Sequence, residues 1–281
     1  NQGVILATGG YGANIEMVLE TNEYWDPEQL SANILTTNRN CATGDGIIMA
    51  EAVGAATTGM GFTQLMPLGW ADDGKLAGGM GENVIFVSPD GTENEGKRFV
   101  DESAERDVLS QGQLSYGGDN GLTVQVMNGG DNTSANNREG KEYFCTLAEA
   151  CEMTGIDYDT LYNTIIEYDE AYLNGTMTSL DVPKASANAT IGSYDEDGNY
   201  IEDTILSIRY LAPSTHHTMG GLVVDGERHV LDENGEIIPG LWAAGEVTGG
   251  FFAGNRLGGN AISEIIVSGR IAAKSVVGAT E

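Results

Sequence analysis

The chain has 281 residues, with 42 acidic side chains against 13 basic ones and a net charge of −29. That excess excludes a nucleic-acid partner, which needs a basic face, and an anionic membrane surface; an acidic ligand would have to be met by a few concentrated bases. No apolar run reaches the roughly 18 residues of a membrane-spanning helix, and 40 glycines against six prolines point to tight turns rather than a disordered linker.

Residues 3–8 read as a buried strand ending in Thr8-Gly9-Gly10. "NQGVILATGG" carries no initiator methionine or targeting signal, so the chain reads as lacking its natural N-terminal part. A helix follows around 14–20, and "CATGDGIIMAEAVGA" (41–55) is a Gly-rich turn leading into another, closed by Gly54. From 56 to 130 the signals are β-like: "NVIFVSPDG", "EGKRFVDES" and "GLTVQVMNG" each predict a strand. Residues 144–174 predict helix, with Leu161, Ile165, Tyr168 and Tyr172 on one core-facing stripe. The stretch 175–200 is irregular. Strands return with "TILSIRYLA", "GGLVVD", a hairpin around Asn234-Gly235 and "GLWAAGE". The last helix, "GNAISEIIVSGRIAAKSVVG", offers Ile262, Ile265, Ile266 and Ile271 for packing.

The expected fold class is therefore α/β plus α+β. Gly-punctuated α/β segments at 1–55 and 211–281 form one domain, with an α+β body, 56–210, inserted between them. Three cysteines, Cys41, Cys145 and Cys151, with no C-x-x-C and no histidine at ligand spacing, read as reduced and structural, and no metal site is expected.

Three Gly-rich turns stand at strand ends: Ala7-Thr8-Gly9-Gly10, Thr43-Gly44-Asp45-Gly46 and Gly245-Glu246 with the glycines after it. Each alone reads as an ordinary turn. Together they suit the close approach of main-chain N–H groups to a cofactor, although a complete G-x-G-x-x-G is absent. Two of the three histidines, His216 and His217, precede Met219-Gly220-Gly221, which looks like a place where a ligand meets the main chain. Arg256 lies inside "FFAGNRLGGN". Arg106, between Glu105 and Asp107, taken alone reads as a salt-bridged surface residue.

"VILATGGYGAN", "ATGDGIIMAEAVGA", "GKRFVDESAERD", "HHTMGG", "IPGLWAAGEVTGG" and "GNRLGGNAISEIIVSGRIAA" resemble, in the same order, the flavoprotein of the soluble fumarate reductase family, which includes flavocytochrome c and urocanate reductase. The resemblance implies a Rossmann-type FAD-binding domain formed by both chain ends, without its first ADP-gripping unit, and an inserted capping domain. It implies FAD as the cofactor, weakly held or absent in this chain alone. It implies an unsaturated carboxylic acid as substrate, and an electron donor carrying haem, FMN or quinol. By the same likeness, His216, Arg256 and Gly259 bind the substrate. Thr8, Gly9, Asp45, His217, Glu246, Asn260, Ala261 and Ile262 contact the flavin. Arg106 is the proton donor.

Two stretches depart from the family pattern. Met66, in "TQLMPLGW", replaces a histidine that binds a far carboxylate, and "LAGGMGEN" (76–83) lacks the family's arginine. With Leu68 and Met80, Met66 implies a more apolar pocket end, suited to one carboxylate and a less charged tail. Two other readings stay open: a related oxidase or dehydrogenase running in the opposite direction, and a non-catalytic domain that binds a small acid.

Overall fold

Along the chain, β1 (Val4–Leu6), α1 (Ile15–Thr21), β2 (Leu35–Thr36), α2 (Asp45–Glu51), β3 (Thr57–Thr58) and β4 (Thr63–Trp70) come first. Then come β5 (Val84–Val87), α3 (Arg106–Tyr116), β6 (Thr123–Asn128), β7 (Glu142–Cys145), α4 (Leu147–Thr154) and α5 (Tyr158–Leu173). The chain closes with β8 (Leu206–Thr218), β9 (Gly221–Leu222), β10 (His229–Leu231), β11 (Ile237–Ala243) and α6 (Asn260–Val276). The structure is a computed structural model that describes residues 3–78, 83–130 and 140–278. The fold is mixed α/β, in two compact units: 1–65 with 215–281, and 66–214.

In the unit built from both chain ends, β1 pairs in parallel with β11, matching Ile5 to Trp242. β10 runs antiparallel on the other edge of β11. The hairpin between β10 and β11 turns at Asp232–Glu236, where Asp232 accepts the N–H groups of Asn234 and Glu236. β3 and β9 form a second, antiparallel pair. This ladder places residues 56–65 in the unit of the two ends and not with the middle body, where the sequence pattern had put them. α1 starts at Asn14, whose side chain accepts the Met17 N–H at 3.1 Å.

α6 corrects an expectation. Ser268 and Ala272 are its buried positions, and Ala272 packs with Trp242 and Ala244. Ile262, Ile265 and Ile266 are 60, 46 and 56% exposed. Small residues at 268 and 272 let the helix lie close to the β11 strand, and these three isoleucines stay largely exposed. Val4 and Ile5 of β1 are exposed as well.

In the middle unit, β8 lies between β6 and β7, and β5 pairs with β6; the registers are antiparallel, as in Gln125↔Arg209 and Glu142↔Arg209. The period-2 alternation of β5 splits its side chains between two cores. Ile85 and Val87 pack with Leu147, Leu161, Ile165 and Tyr168 of α4 and α5. Val84 and Phe86 pack with Met66, Leu68, Trp70 and Leu109. The helix expected over 144–174 is two helices. α4 opens with a capping box between Thr146 and Glu149 and stops at Gly155, whose φ is 78°. Asp157 then caps α5.

"EGKRFVDES" is not a strand. Arg98 folds back onto Glu102 through Nε and Nη2 at 2.8 and 2.7 Å, with both side chains almost wholly buried. The Lys184 Nζ joins Glu102 at 3.4 Å and donates to the Val84 carbonyl at 2.7 Å. A bidentate i, i+4 tie holds the segment as turns, leaving two isolated bridges, Val87 to Arg98 and Ser88 to Glu95.

Candidate active site

The three Gly-rich turns meet in the unit of the two chain ends. The Gly44 N–H donates to the Gly10 carbonyl at 3.2 Å. The Tyr11 N–H donates to Thr218 Oγ1 at 3.3 Å. Glu246 Oε1 accepts the Thr218 N–H and hydroxyl at 2.9 and 3.2 Å. A Cβ on Gly10 would collide with Thr218 Oγ1. The glycine there therefore permits the close approach of one turn to the strand end that carries the histidines.

β8 is extended, so successive side chains leave on opposite faces. His216 is half-buried, and its Nδ1 lies 2.7 Å from Thr37 Oγ1. His217 is buried and meets the Phe252 ring edge-on, with centroids 5.4 Å apart. Burial, followed by the charge of Arg256, pushes the His217 imidazole down to about 3, so it is neutral near pH 7. Its Nδ1 is buried without a hydrogen-bond partner among the described residues. The Glu246 carboxyl is pushed up by its burial, against the hydrogen bonds from Thr218 and the charge of Arg256.

Arg256 is buried and held by a residue that the sequence motifs did not single out. Gln64, 2% exposed, accepts from Arg256 Nη2 at 3.1 Å. It donates through Nε2 to the Arg256 carbonyl at 2.7 Å and to Asn255 Oδ1 at 2.6 Å. The local signal was the pair of polar residues Thr63-Gln64 in an otherwise apolar strand that is buried throughout.

The glycines after the histidines do not open the main chain to a ligand. A Cβ on Gly220 would collide with the backbone of Met60, so this glycine packs main chain on main chain. Gly259 precedes α6 with φ 91°, and nothing lies within 4 Å of where its Cβ would be. Gly259, Asn260 and Ile262 are exposed, and Ala261 is partly so. Gly9, with φ 79°, likewise faces open space, and Thr8 and Asp45 are exposed.

Arg106 and Met66 belong to the middle unit. Arg106 is the first residue of α3; it is half-buried, and burial lowers its proton affinity. The positive end of a helix adds to that effect. Met66 is 3% exposed within a core cluster. Met80 lies outside the described residues. Among these, no group of three metal-ligating side chains converges, and no helix is long and apolar enough to cross a membrane.

Residues 1–262 match a family described as an FAD binding domain. The chain belongs to that family. It is 41% identical over 288 residues to NADH:acrylate oxidoreductase of Vibrio harveyi, covering 98% of this chain and 27% of that protein. It is 33% identical to a fumarate reductase (cytochrome) of Shewanella frigidimarina, over 96% of this chain and 44% of that protein. It is 34% identical to urocanate reductase of Eggerthella lenta, over 96% of this chain and 43% of that protein. Among solved structures, it resembles the open conformation of a flavocytochrome c3 fumarate reductase, with a TM-score of 0.73 and 29% identity over 99% of this chain and 46% of that one. The chain thus spans less than half the length of these relatives. The likeness read from the six motifs is borne out.

The residues fit the family's cofactor. A neutral buried imidazole with an unengaged Nδ1, the open cradle at Gly9 and the exposed start of α6 are the features that a flat, polar-edged ring system would cover.

Proposed function

We propose that this chain carries the substrate-binding part of an FAD-dependent reductase of α,β-unsaturated carboxylates. The observation that carries the reading is the buried guanidinium of Arg256, held by Gln64 in the unit that also contains His216. A guanidinium fork suits a carboxylate, and a half-buried imidazole adds a donor. His217, Glu246, Asn260, Ala261 and Ile262, with Thr8, Gly9 and Asp45, hold the flavin. In this reading, the unit of the two chain ends is part of a Rossmann-type FAD-binding domain, and the middle unit is the α+β cap.

FAD, when bound, supplies a hydride to one alkene carbon. Arg106 delivers a proton to the other, and its burial and its place at a helix start both ease release of that proton. Gly259 adds a main-chain contact to the carboxylate. A haem, FMN or quinol protein or domain would be the electron donor.

In the family pattern a histidine that binds a far carboxylate stands where this chain has Met66, and a methionine offers a second carboxylate no charged partner. The substrate is thus an enoate with one carboxylate, in keeping with the acrylate in the name of the relative with 41% identity. The names of the relatives also favour reduction over the reverse oxidation.

The test is a screen of the full-length holoprotein with reduced viologen. Acrylate and larger monocarboxylic enoates are expected to exceed fumarate in kcat/KM. A fumarate value equal to or above all of them overturns the specificity, and no turnover of any unsaturated acid overturns the reaction class.

A further inference from the structure

We infer that Gln64 is the positioning residue for Arg256: it fixes the direction of the guanidinium without adding charge, and so sets the affinity of the site for a carboxylate. The inference deepens the function proposed above and rests on it.

One buried carboxamide grips both ends of residue 256. Oε1 accepts from Nη2 at 3.1 Å, and Nε2 donates to the carbonyl of the same residue at 2.7 Å. Nε2 also donates to Asn255 Oδ1 at 2.6 Å, and that oxygen accepts the Arg256 main-chain N–H at 2.8 Å. Main chain and side chain are therefore tied to a single group on β4. A free arginine side chain loses about 2 kcal/mol of rotamer entropy when it is fixed; here that ordering precedes the ligand.

The choice of an amide matters. The buried Arg98 and Arg209 are gripped by carboxylates, Glu102 at 2.7 Å and Glu142 at 2.8 Å. Those are structural ties, in which an internal anion occupies the fork. At Arg256 the tie from β4 is neutral. A glutamate of the same reach at position 64 would compete directly with a bound carboxylate, and a methionine would remove the tie from β4 to the guanidinium.

The test uses the full-length holoprotein with Gln64→Met and Gln64→Glu. KM and kcat are measured with a monocarboxylic enoate. The dissociation constant of propionate, a saturated and unreactive carboxylate, is measured by titration on the oxidised flavin absorbance. Gln64→Met should raise KM and the propionate constant about 10-fold, the equivalent of one hydrogen bond to a charged group, with kcat within about threefold of wild type. Gln64→Glu should raise both constants further, by about 100-fold, because it adds an opposing charge.

A purely structural role predicts instead a lower Tm and less active enzyme at an unchanged KM. Should Gln64→Met lose its flavin, Gln64→Glu keeps the acceptor oxygen and carries the test. Constants within about twofold of wild type in either folded variant overturn the inference. A wild-type protein that binds no propionate and reduces no enoate removes the proposed function, and this inference with it.

Discussion

Glu246 holds Thr218 through two hydrogen bonds to a single oxygen, from the main-chain N–H at 2.9 Å and from the hydroxyl at 3.2 Å. The pair fills the space beside Gly10, where a Cβ would strike Thr218 Oγ1 and come within 2.6 Å of Glu246 Oε1. Gly10→Ala should therefore destabilise the unit of the two chain ends by about 1–3 kcal/mol, the usual cost of overpacking. Urea unfolding checks this, and in the full-length protein the flavin content should fall in parallel.

The two arginines should fail in different ways. Arg256→Lys keeps the charge but loses the fork, so substrate affinity should fall by roughly 1–3 kcal/mol, the scale of a charge-assisted hydrogen bond. Arg106→Lys should collapse kcat and leave binding largely intact, because its contribution comes in the transition state. Steady-state kinetics with separate substrate titration on the oxidised flavin resolves the pair. A near-normal kcat in Arg106→Lys would move the acid role to another residue.

His217 makes stability depend on acid. Its native imidazole is pushed to about 3 from 6.5, so the folded state binds fewer protons than the unfolded chain between those values. Its contribution is complete above pH 6.5 and is lost as pH falls toward about 3. His217→Gln should flatten the unfolding free energy against pH in that window by up to about 1.4 kcal/mol per pH unit. In the wild type, the His217 ring resonances should show no titration near 6.5.

Asp169 has the opposite sign. It accepts the N–H groups of Ile191 and Gly192 at 2.6 and 2.8 Å and the Tyr194 hydroxyl at 2.8 Å. Burial outweighs these bonds and raises the carboxyl to about 6 from 3.8. Its contribution is complete below 3.8 and is lost as pH rises through about 6. Asp169→Asn should cost about 1–3 kcal/mol at low pH through mismatched donors, and this penalty should shrink as pH passes 6. Denaturant titrations at several pH values check both parts.

Much of the molecule was legible in the sequence because the interactions that make it are local. The caps at Asn14, Thr146 and Asp157 lie within a few residues of what they bind. The alternation in β5 and the stripe of α5 follow backbone periods that any reader of the chain can count. Side-chain ties override such patterns. Arg98 and Glu102, four residues apart, turn a strand-like "KRFVDE" into turns.

The same limit holds for the site. The sequence alone singled out the candidate residues: the adjacent histidines, the arginine among glycines, the acid after a Gly turn. Tertiary structure decided the surroundings of each. The neutrality of His217 depends on burial and on a charge from another part of the chain. Gln64 meets Arg256 across 192 positions of sequence. Ile262, Ile265 and Ile266 of α6 stay largely exposed, while Ser268 and Ala272 are the buried positions. Burial, electrostatic environment and long-range contact are properties of the folded packing, and no local period of the chain encodes them.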